Sequence, residues 1–419
     1  TTDLWLEEEP YRSTYKKINS DYKLYDKMYG FEFQFGTSIN NHFLTYGIDY
    51  SLTDNEYIQY KSQTLYGYTS DVYRGDKYPI KRSPDSETIR FGLYLQDEVT
   101  YENLDLLLGI RMDNYVLNAN LDSIHDRYCN GEAETCPVVS LSLPNELSPK
   151  IAVTRYLDEN LEIWGQYSRG FRGPTWWELQ ATQKNLPDSY QVIPNPGLKP
   201  ESSNSYEIGL RGDYKRYNFE LIGFYNTYKD FITSIDCRED KSEICPNPED
   251  SDYDITYSND NIGNTRIWGI EFINKFKFTP DKNGFSLKAS AGYTYGQDTI
   301  KNEPLNEVDP LKIVSGIEFV SSDSKFVTEL ISTYVGETRR KKDYSGFRPK
   351  PFITFDLLSR YKYSDSIDLS CGIYNLFNET YYYSNNISSG QSITGIEQFA
   401  EPGRHFRLGF KFIFWKYRF

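Results

Sequence analysis

Few side chains in this sequence stand where they could do covalent chemistry. The three histidines, His42, His125 and His405, lie far apart. No Gly-x-Ser-x-Gly elbow or metal-spaced His/Glu set accompanies them, so an enzyme is not expected. What the sequence offers instead is material for recognition. Between Arg172 and Pro200 stand Trp176, Trp177, Glu178 and Tyr190. Adjacent indoles suit stacking on a flat ligand or anchoring a protein partner, and equally suit folding their own segment onto its neighbours. Arg339, Arg340, Lys341 and Lys342 form one dense basic run, able to contact phosphates or carboxylates or to stay solvated. Cys129 and Cys136 enclose six residues and Cys237 and Cys245 enclose seven. Each pair is spaced to close a small disulfide loop in an oxidising compartment. Cys371 is left as a free thiol.

The elements that must position these residues follow from patterning. From Leu104 one face reads Leu104, Leu106, Leu108, Ile110, Met112 and the other Asp105, Leu107, Gly109, Arg111, Asp113. The same period-2 alternation returns from Ile89 and from His405 to Phe414, where it shifts parity for Trp415, Tyr417 and Phe419. Alternation alone fits a soluble all-β protein as well as a membrane barrel. Connection lengths separate the two. Roughly fifteen strands of about 8–18 residues are joined alternately by short turns and long loops. The turns fall near 36–41, 101–103, 156–160, 214–217, 279–284, 321–324 and 363–366. The loops fall near 63–87, 118–146, 170–203, 236–260, 300–310, 336–351 and 384–403. Short periplasmic turns alternating with long external loops are the outer-membrane pattern.

Composition agrees. The chain has 419 residues, 38 of them Tyr, which suits aromatic belts at two membrane interfaces. Mean hydropathy is -0.65, and no stretch approaches the ~18 apolar residues of a transmembrane helix. A chain of this kind crosses lipid only as a closed sheet. The net charge of -14 argues against a nucleic-acid partner. The expected fold is all-β, a transmembrane antiparallel β-barrel. The recognition residues then fall in external loops, with His125 and His405 on the ligand side and His42 at a periplasmic turn. Arg169 and Arg211 are expected to pair with Glu162, Glu207 and Asp213 toward the lumen. Cys371, on the face of Ile367, Leu369 and Ile373, is expected to meet lipid.

Three segments resemble a known family. Ser168-Arg169-Gly170-Phe171-Arg172-Gly173-Pro174 precedes the tryptophan loop, and Asn195-Pro196-Gly197-Leu198-Lys199-Pro200-Glu201 follows it. Tyr374-Asn375-Leu376-Phe377-Asn378 and Pro402-Gly403-Arg404 bracket the last loop. Together they resemble the C-terminal barrel of TonB-dependent outer-membrane receptors, most of all those for haem and for host proteins carrying haem or iron. The resemblance implies about 22 strands around a plug. Residues 1–419 would then be the C-terminal part, with some fifteen strands, the plug and other strands lying upstream of Thr1, and 1–21 forming part of an external loop. It implies no integral cofactor, a transported haem or iron chelate, lipopolysaccharide and lipid as surroundings, and a TonB complex as partner through the N-terminal region. The sequence departs from the family pattern at Gly173 and Gly197, and no His lies between Pro174 and Asn195. Direct haem ligation in this loop would fall to Tyr190, a phenolate being a known haem ligand. Siderophore or other metal-chelate transport, and a passive porin or adhesin barrel, are the alternative readings.

Overall fold

The computed structural model describes residues 2–6, 14–65, 68–70, 72–73, 76–128, 139–185, 189–238, 242–246, 253–280, 283–305, 308–338, 347–387 and 394–413. Alternation along the sequence becomes one antiparallel sheet of eighteen strands. Fifteen of them have eight or more residues, from Thr14–Ile39 and His42–Leu65 through to Ile367–Tyr374 and His405–Phe412. Each long strand pairs with the next long strand in sequence, so the sheet is a meander. Among the described residues it is an open arc, with Thr2–Leu6 and His405–Phe412 at its edges.

The connections alternate as the sequence predicts. At one end the long strands are joined by two to six residues, at the other by thirteen to thirty-five. The tightest turns need unusual backbone. Asn40, between Ile39 and His42, takes φ 55°, a left-handed conformation that Asn tolerates better than most side chains.

Register assigns the two faces. Leu44, Asp97, Leu108 and Ile151 lie in one row across four strands, as do Leu93 and Met112. Leu93, Leu95, Leu108, Ile110, Ile208, Phe406, Leu408 and Phe410 are exposed on this outer face, as a wall against lipid requires. The inner face carries polar groups. Arg111 bridges Asp49 at 2.7 Å and Asp113 at 2.6 Å. Gly92 leaves the room for that guanidinium, since a Cβ there would collide with it. Arg211 pairs with Glu162 at 2.8 Å and with Glu220 at 2.7 Å, while Arg169 reaches Glu146 at 3.6 Å. Glu207 instead accepts from Gln166 at 2.7 Å and Asp213 from Asn218, which corrects two of the expected partners. Cys371 is a free, exposed thiol in register with Leu408 on the outer face.

Two expectations change. Residues 14–21 are not loop but the start of a 26-residue strand, Thr14–Ile39, paired with the 24-residue His42–Leu65. At about 3.4 Å per residue both exceed what lipid needs, so this hairpin rises beyond the rest of the wall. The stretch 230–264 is likewise not plain loop. Ile232–Asp236 and Ile255–Asn261 pair with Tyr190–Val192 and Gln183–Asn185 as a separate four-stranded sheet at the long-loop end. The last strand ends at Phe412, and 414–419, where the parity shift falls, lie outside the described residues.

Candidate functional site

The long-loop end is a folded layer, and its best-built part is the segment from 172 to 201. Helix Trp176–Gln180 begins at Thr175, whose hydroxyl accepts from the Glu178 amide while the Glu178 carboxylate accepts from the Thr175 amide. This reciprocal cap satisfies donors that a one-turn helix would otherwise leave orphaned. Glu178 has a second task. Arg172 bridges it at 2.8 Å and Glu201 at 2.8 Å, and Glu201 also accepts from the Ile232 amide at 2.7 Å. The start of the loop, its helix, its end and the neighbouring loop thus meet at one guanidinium. Burial is the largest influence on the Glu178 carboxyl and pushes it up, but Arg172 and the Thr175 amide and hydroxyl together hold it below the usual range.

Helical phase decides which side chains face out. Leu179 is fully buried with Tyr115, Leu117, Leu198 and Ile232, and Trp176 packs against that cluster. Burying a side chain such as Leu179 contributes roughly 1.5–3 kcal/mol. Trp177 points the other way and is 38% exposed. It meets Trp176 edge-on at 5.4 Å and Tyr57, on the tall hairpin, at 5.3 Å. The family-like ends of the loop act as clasps. Gly173 lies against the Tyr115 ring, where a Cβ would come within 2.9 Å, and the Tyr115 hydroxyl donates to the Pro174 carbonyl at 2.9 Å. That contact explains Gly at this position. Asn195 donates to the Asn259 carbonyl at 2.9 Å and accepts from the Gly197 amide at 3.0 Å. Asn261 bonds both the amide and the carbonyl of Lys199.

The other residues singled out in the sequence are distributed differently. Tyr190 is half-buried in the small sheet, edge-on to Tyr257 at 6.2 Å. Its hydroxyl accepts from Gln183 at 2.6 Å, and Gln183 accepts from Arg82 at 2.7 Å. His125, on helix Ser123–Tyr128, is 1% exposed, with Nδ1 at 3.0 Å from the Lys81 carbonyl. Lys81, itself 4% exposed, meets Asp85 at 2.7 Å, Glu56 at 3.2 Å and Asp122 at 3.3 Å. His125 is therefore buried in the seam where Lys81 and Asp122 tie two neighbouring loops together. Cys237 and Cys245 are joined in a disulfide with Cα atoms 5.4 Å apart. Arg339 and Arg340, and the pair Cys129 and Cys136, lie outside the described residues.

One cluster escapes sequence reasoning. Tyr381 and Tyr383 close on Phe352 with ring centroids 4.4 and 5.4 Å away, and Lys312 stands 5.9 Å above Tyr383. Burial, with help from Tyr383, Glu401 and Asp356, pushes the Tyr381 hydroxyl up to about 12. The run Tyr381-Tyr382-Tyr383 was the available signal.

A meander with short turns at one end, long folded loops at the other and an apolar outer face matches the family model for the TonB dependent receptor-like beta-barrel, over residues 3–376. The chain belongs to that family. Its barrel is an outer-membrane structure of Gram-negative bacteria, so the long loops are extracellular. The hemoglobin and hemoglobin-haptoglobin-binding protein A of Haemophilus influenzae is 28% identical over 61% of this chain and 26% of its own length. The hemin receptor of Yersinia enterocolitica is 26% identical over 66% of this chain and 39% of its own length. The chain therefore spans well under half of these relatives. Among solved structures, the copper transporter OprC superposes with a TM-score of 0.70 at 16% identity, covering 96% of this chain and 57% of that one. The ferric enterobactin receptor of Pseudomonas aeruginosa gives 0.68 at 15% identity, covering 96% and 58%. These two likenesses speak for the fold alone.

Proposed function

We propose that the receptor containing this chain binds an iron-bearing nutrient, haem or a host protein carrying haem, at its extracellular loops and imports it with energy from the TonB system. It works as a transporter and not as an enzyme. The observation that carries this reading is the braced platform of 172–201. Arg172, Glu178 and Glu201 fix its geometry, and Trp177, 38% exposed, adds aromatic surface beside Tyr57. A pre-ordered aromatic face costs little entropy on binding, which is what a protein-sized ligand rewards. The curated relatives named for hemoglobin, hemoglobin-haptoglobin and hemin favour this ligand class over siderophores. Tyr190 suits a supporting role, because its oxygen is already engaged by Gln183.

Growth tests the proposal. A strain starved of free iron and lacking its other haem receptors should grow on hemoglobin only when this receptor and a working TonB are both present. Growth on hemoglobin that persists without TonB would favour a passive barrel, and growth restored only by a siderophore would move the ligand class.

A further inference from the structure

The outer face changes character at one level of the wall. On four neighbouring strands, Glu201–Asp213, Tyr217–Lys229, Thr265–Lys277 and Gly284–Asp298, residues Tyr206, Tyr225, Trp268 and Tyr295 stand in one register row. They share the face of Ile208 and Ile270, both exposed. Two residues further toward the long loops the same face carries Asn204, Thr227, Arg266 and Gln297, again in one row. The stretch from Phe276 to Trp268 covers about 27 Å along its strand. At the ~40° tilt of membrane strands that is roughly 20 Å of height, close to the ~25 Å of an apolar band. Trp268 therefore marks the outer edge of the band on its strand. Arg266 stands just beyond it, at the depth of the lipid headgroups.

Two cations open onto this level. Arg266 is exposed, and its Nε and Nη2 donate to the side-chain oxygen of Gln297, Nε at 3.0 Å. Gln297 is 6% exposed and is itself oriented by a bond to Asn302. A neutral, buried partner fixes the guanidinium without cancelling its charge and leaves Nη1 to donate elsewhere. Lys229 is exposed on the same face of the next strand, two residues beyond Thr227, the register partner of Arg266. Both long side chains can span that diagonal of about 7–8 Å. Neither cation meets a carboxylate among the described residues, on a chain with 60 Asp and Glu against 46 Lys and Arg. Both strands lie inside the sheet with both neighbours present, so these charges do not await a missing strand. The first flank of the wall differs. Just above Leu52 and Ile89 its outer face carries Asp54 and Glu87 in register.

We infer that Lys229 and Arg266 form a site for a phosphate of the outer-leaflet glycolipid, lipopolysaccharide. Arg266 donates to the phosphate oxygens from Nη1, and Lys229 adds a second positive charge. Thr227 and Asn204 offer a hydroxyl and an amide to the sugar that bears the phosphate. Tyr225 and Trp268 lie beneath, where their rings meet the upper part of the acyl chains. Only a lipid presents phosphate and hydrocarbon together at this depth, which separates this ligand from free phosphate. The site faces lipid, so it stands apart from the nutrient reading of the loops.

The test is a titration of the delipidated whole receptor with purified lipopolysaccharide, and with the same lipopolysaccharide after dephosphorylation. The wild type should bind the phosphorylated form at least about tenfold more tightly, the scale of one charge-assisted hydrogen bond. Lys229→Gln with Arg266→Gln should lose that preference while the barrel stays heat-modifiable on gels, which excludes a folding defect. Arg266→Gln alone should lose part of it. Equal affinity of the wild type for the two forms would overturn the site, as would a preference that survives in the double variant. Displacement of bound lipopolysaccharide by inorganic phosphate would mark a site for the free anion and overturn the lipid assignment.

Discussion

Trp176 and Trp177 adjoin in sequence but face different surroundings, and their substitutions should separate cleanly. Trp176 packs on the Leu179 cluster, so Trp176→Ala should loosen the loop by up to about 3 kcal/mol. Limited proteolysis between 172 and 201 reads that loosening. Trp177→Ala should cost the fold less than about 1 kcal/mol yet weaken hemoglobin binding by about 2 kcal/mol or more, the scale of an aromatic anchor. Equal effects of both changes in both assays would contradict the assignment. Glu178 supplies a pH test. Its folded value is depressed, so the stability it contributes is present above the unfolded carboxyl value, about 4.3, and is lost as pH falls through the lower folded value. Tryptophan fluorescence of the receptor should hold steady from neutral pH down to about 4 and change below it, with the change absent from Glu178→Gln. At this scale the sequence was half legible. Trp176 and Trp177 could be read locally, the Thr175 cap on Glu178 emerges only with the structure, and the burial of His125 depends on Lys81, 44 residues away, and carries no local mark.

Strands were the most legible elements, because lipid on one side and a polar interior on the other impose strict alternation. Where lipid stops, the signal stops. Residues 14–21 of the tall hairpin carry no clear apolar alternation and are expected as loop from the sequence, though they begin one continuous strand. The small sheet was hidden for another reason. Tyr190–Val192 pairs in parallel with Ile255–Asn261, about 65 residues on, and no turn signal links them. The alternation of connections predicts sidedness directly. Single cysteines introduced at 63–87 or 336–351 should react with an impermeant maleimide on intact cells, and at 279–284 only after the outer membrane is opened. Surface labelling at 279–284 would invert the molecule.

Taken whole, the molecule combines an arc of barrel wall with a folded extracellular layer. That layer is held by Lys81 with its three carboxylates, by Arg172 with two more, and by the Cys237–Cys245 disulfide. Among the described residues the ion pairs link neighbouring loops, so recognition is expected to be a property of the assembled surface. The family could be read from the motifs around 168–174, 195–201 and 402–404, because those residues clasp the loops to the wall and their chemistry is local. Ligand class could not, since it rests on which side chains from distant loops reach one surface. The decisive measurement is hemoglobin binding by the whole receptor, in outer-membrane vesicles, with residues 175–192 replaced by a short Gly-Ser linker. The account predicts loss of binding while the barrel stays heat-modifiable on gels, as a folded barrel does; undiminished hemoglobin binding by that variant would contradict it.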